Sequence, residues 1–306
     1  MPTPHDSTSN VRSLFNVGIE KMNASRIDEA TEIFSQILNS SITEGLRMFT
    51  LRERALCHHM LKQHELAAAD CTALLACKGI SDETKARALR IRAHSYRALR
   101  MVDEAIADYN AAFEHCETND EAAQTLASRA ALFGNLGDET AALADYQYAL
   151  DMEGLAPEVK ADIIRARGAF LCVRGNPARG IEDFRAALSI IGISDRLAAQ
   201  THSELAYTWY LAGDFSAAIK DAQTAVKLNP KNAMARFNLA LSHLAAGQPD
   251  TALAQYRQAA ADCISRAQVR KDGLGDLEDL SRKSPHLAGI KEAIGILHKF
   301  EAALKF

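Results

Sequence analysis

The stretch from Lys85 to Arg100 is the segment of this sequence best equipped for chemistry. It holds Lys85, Arg87, Arg90, Arg92, His94, Arg97 and Arg100 and no acid, in a chain whose formal net charge is -4. Arg87, Arg90, His94 and Arg97 step by three or four residues. On a helix that spacing puts them on one face. Like charges so spaced repel by roughly a few tenths of a kcal/mol per pair, and an anionic partner relieves the repulsion. Two readings stay open. Either the stripe clamps a carboxylate, from an acidic side chain or a chain terminus, or it is a solvated face neutralised by acids such as Asp103, Glu104 and Asp108.

Other candidate chemistry is weaker. Cys57-His58-His59 with His64 and Cys71 has metal-binding residue types. A structural zinc site needs four converging ligands, usually with paired short spacings. Neighbouring His58 and His59 point apart on a helix, so they read as packing and surface histidines. Gly273-Leu274-Gly275 has no Gly-Lys-Ser/Thr after it and is no phosphate loop. No GxSxG or HExxH occurs. The sequence therefore nominates no catalytic residue, no metal ligand and no cofactor.

The elements that position the stripe are legible in a repeat. Arg54, Arg92, Arg129 and Arg167 are spaced by 38, 37 and 38 residues. Asp70, Asp108, Asp145, Asp183 and Asp221 follow the same register, with the first four each 16 residues after an arginine. Two columns of small residues keep step: Gly18, Ala55, Ala93, Ala130, Gly168, Ala206, Ala240, and Ala30, Ala67, Ala105, Ala142, Gly180, Ala218, Ala252. Four places after the second column stand Phe34, Cys71, Tyr109, Tyr146, Phe184, Ala222 and Tyr256. Small beside large is what a tightly packed helix pair requires. Turn signals split the later units at Gly137-Asp138, Gly175-Asn176-Pro177, Gly213-Asp214 and Gly247-Gln248-Pro249. Helix starts are expected at the boxes Ser41–Glu44 and Thr118–Glu121 and at Pro157. Each unit is thus two antiparallel helices, and the arginine and aspartate columns read as ion pairs between them.

The unit Leu205-Ala206-x-x-Trp209, Gly213-Asp214-Phe215, Ala218-Ile219, Ala225, Pro230 resembles a tetratricopeptide repeat. The next unit repeats the order 34 residues on, which is that family's period. The resemblance covers about seven units over residues 11–264: 11–44, 45–80, 81–117, 118–156, 157–193, 194–231 and 232–264. Most are three or four residues longer than the period, about one helical turn. That excess belongs either to a longer first helix or to a longer loop between units. Residues 1–10 read as a flexible tail and 265–306 as capping helices, the alternative for the latter being a dimerising or partner-binding helix. The resemblance implies an all-α, right-handed superhelical solenoid of antiparallel helix hairpins, with a concave groove that binds a partner peptide or helix.

On that groove the expected contacts are the basic Arg52, Arg87, Arg90, His94, Arg97 and Arg165 and the apolar Phe15, Phe49, Met60, Tyr207, Tyr210 and Phe237. The chaperone-binding branch uses a lysine and asparagine clamp, but Phe15 and Ile19 stand where that clamp begins, so that activity is not carried over. The expected function is a protein-interaction scaffold for a partner with acidic residues or a free carboxylate. A self-assembling homo-oligomeric scaffold is the alternative, and an enzyme the third reading. Mild acidity argues against nucleic acid. The absence of a roughly 18-residue apolar run argues against a membrane span. Six cysteines without a CxxC, and no apolar run in Met1–Asn10, point to the cytoplasm.

Overall fold

The structure is a computed structural model describing residues 4–263 and 266–304. Among the described residues it is helical throughout, without strands. It divides into two compact units, Met1–Gly154 and Leu155–Phe306. The first contains four helix hairpins: α1 (Pro4–Asn23) with α2 (Ile27–Leu38), α3 (Glu44–Met60) with α4 (His64–Leu75), α5 (Asp82–Ala98) with α6 (Val102–Glu114), and α7 (Asn119–Leu136) with α8 (Glu139–Asp151). The second contains three: α9 (Pro157–Val173) with α10 (Pro177–Leu188), α11 (Asp195–Ala212) with α12 (Phe215–Leu228), and α13 (Ala233–Ala245) with α14 (Pro249–Asp262). After these come α15 (Arg266–Val269), a π-helical turn Arg270–Leu274, α16 (Gly275–Lys283) and α17 (Ile290–Ala303). Helix α1 begins inside the stretch 1–10 that the sequence set apart as a tail. Residue 264, where the repeats were expected to end, lies outside the described residues.

The columns explain the hairpins. Every alanine in the two small columns is fully buried, which lets paired helices approach closely. Between α9 and α10 both positions are glycine, and a Cβ on Gly180 would lie 2.8 Å from the Gly168 carbonyl oxygen and collide with Cys172 Sγ. Phe34, Tyr109, Tyr146, Phe184 and Tyr256 fill the adjoining space and are themselves buried. Burying one such ring contributes roughly 2–3 kcal/mol. The extra residues of the long units lie in their first helices. Helices α3, α5 and α9 have 17 residues and α7 and α11 have 18, whereas α13, in the unit of the family's own length, has 13.

Helix starts follow side-chain chemistry. Thr43, Ser81, Thr118, Ser194 and Asn232 each accept a hydrogen bond from the backbone N–H three residues on. At α3 the cap is Thr43 rather than Ser41, because the helix begins at Glu44 and the box expected from the sequence is offset by two residues. In the second unit α17 packs on α14, and Leu277, Ile290 and Leu297 join the core around Phe237 and Tyr256.

Candidate partner-binding site

The arginine and aspartate columns form ion pairs inside the hairpins. Arg54, Arg92, Arg129 and Arg167 each donate from Nε and Nη2 to both oxygens of Asp70, Asp108, Asp145 and Asp183, at 2.6–2.8 Å. The remaining nitrogen reaches the preceding hairpin: Arg54 Nη1 donates to Ser35 Oγ at 3.2 Å, Arg92 Nη1 to Thr72 Oγ1 at 3.1 Å, and Arg129 Nη1 to Asn110 Oδ1. Each of these three guanidiniums therefore ties three helices together. Ser35, Thr72 and Asn110 share the repeat register, a column the sequence reading passed over because its residue types differ.

With Asp108 engaged by Arg92, it does not neutralise the basic stripe on α5. Arg87 pairs with Glu83 at 3.0 Å and lies 3.7 Å from Glu121. Arg90 and Arg97 have no ion-pair partner and their guanidiniums no hydrogen-bonding acceptor among the described residues. Burial pulls the Arg90 pKa below its ordinary value, against the opposing field of Glu121. Between these two cations His94 is pushed down to about 3, first by burial, then by Arg97, His59 and Arg90. It shares a 3.0 Å hydrogen bond with Tyr109, whose phenol burial raises to about 12.

Two further histidines join from α3 and α4. The His59 ring lies 5.8 Å from that of His94 and 6.1 Å from that of His64. Burial lowers the His59 pKa, and His64 and Arg97 lower it further. The Nδ1 atoms of His59 and His64 are buried without a hydrogen-bond partner. His58 turns the other way and bonds Gln63 at 2.6 Å. No group of three or more His, Cys, Asp or Glu side chains is arranged for a metal among the described residues. Arg90, Arg97, His94, His59 and His64 thus form one patch, poor in carboxylates, on a single side of the first unit. Sequence spacing found the α5 members. It named His59 and His64 only as weak metal candidates and did not join them to the stripe, because only the hairpin packing brings neighbouring helices together.

The other expected contacts divide. Phe49 and Met60 are exposed on α3, and Arg52 stacks over Phe49 at 5.3 Å while bonding Glu53. Phe15 is half-buried against Phe34. In the second unit Arg165 is engaged by Asp162 and Glu204 at 2.8 and 2.6 Å. Tyr207 and Tyr210 stack at 6.0 Å and pack into the core shared with the C-terminal helices, Tyr207 donating to Asp276 at 2.8 Å. Phe237 corrects the expectation outright. It is 2% exposed, pressed against Tyr256 and Gly273, because the residues after the last hairpin fold over α13 and cover that face.

Comparison with known proteins agrees with this architecture. Residues 206–267 match the tetratricopeptide repeat family model. That stretch carries tetratricopeptide repeats. No curated protein matches its sequence. Among solved structures, a tetratricopeptide repeat protein from Parabacteroides merdae superposes with a TM-score of 0.55 at 16% identity, over 95% of this chain and 99% of that one. A Rap protein complexed with competence and sporulation factor gives 0.57 at 14%, over 96% and 87%. The Cut9–Hcn1 hetero-tetramer of the APC/C gives 0.56 at 14% over 94% of this chain, which spans only 48% of its counterpart. At these identities the likeness is one of fold. Among the described residues, no helix of the repeat protein is long and apolar enough to cross a membrane.

Proposed function

We propose that this tetratricopeptide-repeat chain is a scaffold that holds an acidic segment or free carboxylate of a partner protein on the α3–α5 face of its first unit. The repeat fold is in general one of protein–protein interaction. The observation that carries the finer reading is the pair Arg90 and Arg97, two cations without ion-pair partners among the described residues, Arg90 drawn partly out of water. A guanidinium short of water gains more from a carboxylate than a hydrated one, because the field between them is less screened. His94 and His59, held neutral at pH 7, supply ring nitrogens without adding to the repulsion. Phe49 and Met60, exposed on the same helix as His59, supply apolar contact. The chain acts in this reading as a binder rather than an enzyme. A reducing compartment such as the cytoplasm suits its six free cysteines.

The test is the double substitution Arg90→Glu with Arg97→Glu in the full chain. Proteins captured from the source-cell extract by wild type should be lost to the variant, with helicity by circular dichroism unchanged. An identical set of captured proteins would retire the reading.

A further inference from the structure

A second site lies in the second unit. A cavity of about 380 Å³ opens between α9, α11, α13 and the π-helical turn. That volume is in the range of sites that take a bound group. Its mouth is apolar and unusually bare: Val173 is 80% exposed, Leu211 60% and Met234 41%. Its charged groups are mostly acidic. Glu204, Asp272 and Asp276 line it against one ammonium, Lys271.

One of these carboxylates, Glu204, is incompletely satisfied. Glu204 Oε1 accepts from Arg165 at 2.6 Å and from Gln200 at 3.2 Å, but its Oε2 is buried with no hydrogen-bond partner. Asp276 accepts from Tyr207 at 2.8 Å. Burial raises the pKa of both Asp272 and Asp276, and Asp279 adds to the rise at Asp276. Carboxylates drawn out of water beside one another gain from an incoming cation. The backbone supports the placement. Gly273 sits in the π-helical turn with no room for a Cβ, which would lie 2.8 Å from Phe237 and 3.0 Å from Leu297. That contact fixes the turn and sets Lys271 and Asp272 at the cavity. π-helical turns inside helices are frequent at functional sites.

The cavity does not end at its acids. A polar furrow of about 420 Å³ shares Glu204, Met234 and Asp272 with it and continues past Gln200, Asn229 and Asn232. An apolar box opening into a polar run lined by amides, Ser203 and, at one place, Arg196 matches an extended chain with one inserted side chain. A compact small molecule would use only the box.

We propose that this cavity takes the aliphatic stem and terminal cation of a lysine or arginine side chain, presented by an extended partner segment whose backbone lies along the furrow. Val173, Leu211 and Met234 cover the methylenes, and Glu204, Asp272 and Asp276 meet the charge. The site is independent of the basic patch in the first unit and selects the opposite charge.

The test uses fluorescently labelled full-length chain on an array of random acetylated, amidated decapeptides. Wild type should enrich lysine or arginine at one position with apolar neighbours. Asp272→Asn, a change that keeps size, should bind those peptides about tenfold more weakly. Met234→Lys, which plants a resident ammonium at the mouth, should do the same, with circular dichroism unchanged in both. The Arg90→Glu/Arg97→Glu chain should keep them, so failure of the first-unit site and of this one are read separately. Absence of basic enrichment, or equal binding by wild type, Asp272→Asn and Met234→Lys, would overturn the proposal. So would binding of n-hexylamine by nuclear magnetic resonance while every peptide fails.

Discussion

In the second to fifth hairpins an arginine on the first helix grips a carboxylate 16 residues on with two hydrogen bonds. In the sixth and seventh, His202 and Arg236 reach Asp221 and Gln255 with one bond each, 19 residues on. The base has moved back three residues, close to one helical turn. Its former position holds Leu205 and Leu239, both buried. The later hairpins have thus given that place to apolar packing, and in the sixth the polar bridge has shifted towards solvent. The side chain of Asp221 is 18% exposed, that of Asp70 7%. The register of the column follows the helix pairing, whereas its chemistry follows how deeply the acid is buried.

The largest test of that difference is to remove the base in each class. Arg92→Leu leaves Asp108 charged, buried and unpaired and also releases Thr72, so unfolding in urea should lose about 3 kcal/mol. His202→Leu leaves an acid that water already reaches and should lose only about 1 kcal/mol. Equal losses would mean that the arginine pairs are surface decoration. Acid should separate the hairpins as well. His94 in the third is held at about 3, well below its ordinary 6.5, so the unfolded chain takes up a proton near 6.5 that the folded chain refuses. Stability is therefore intact above pH 6.5 and falls as pH drops from there towards 3. Urea midpoints at pH 7.5 and 5 should draw apart in wild type and less so in His94→Gln. An equal gap in both would place the acid sensitivity elsewhere.

How much of this was legible depended on whether one residue type recurred. Arginine and aspartate did, so the hairpins and their ion pairs could be read from spacing. Where the chain swapped types at a fixed role, as with Ser35, Thr72 and Asn110, or moved the role by a turn, as with His202, the pattern dissolved. The α5 stripe was legible because it lies on one helix. The histidines that complete it come from two others, and no single-helix periodicity records that. Phe237 misled for a related reason. It has the spacing of a groove residue, but the segment that buries it lies beyond the repeats and carries no register.

The glycine-to-glycine pairing offers the next discrimination. Only between α9 and α10 do both small columns hold glycine, and the backbones approach closely enough that a methyl on Gly180 meets Cys172 and the Gly168 carbonyl. Gly180→Ala should cost about 2 kcal/mol by overpacking, despite alanine's better helix propensity. If thermal unfolding instead moves upwards, the fifth hairpin has room to open and its double glycine is incidental.

The smallest effect concerns the turns. Each hairpin has one residue in the left-handed region between its helices, at 25, 62, 100, 137, 175, 213 and 247. The last four are glycine, which made those turns readable. The first three are Ser25, Lys62 and Arg100, with φ near 60°, where a side chain crowds the backbone. A non-glycine residue there costs roughly 1 kcal/mol, part of which glycine returns as greater freedom when unfolded. Lys62 is exposed and forms no ion pair among the described residues, so Lys62→Gly should raise the urea midpoint by the equivalent of about 0.5 kcal/mol. Gly213→Ala, the reverse change in a later turn, should lower it by a similar or larger amount. A lowered midpoint for Lys62→Gly would mean that the lysine stem packs on its neighbours strongly enough to outweigh the strain, and that the early turns are held by side chains rather than by backbone freedom.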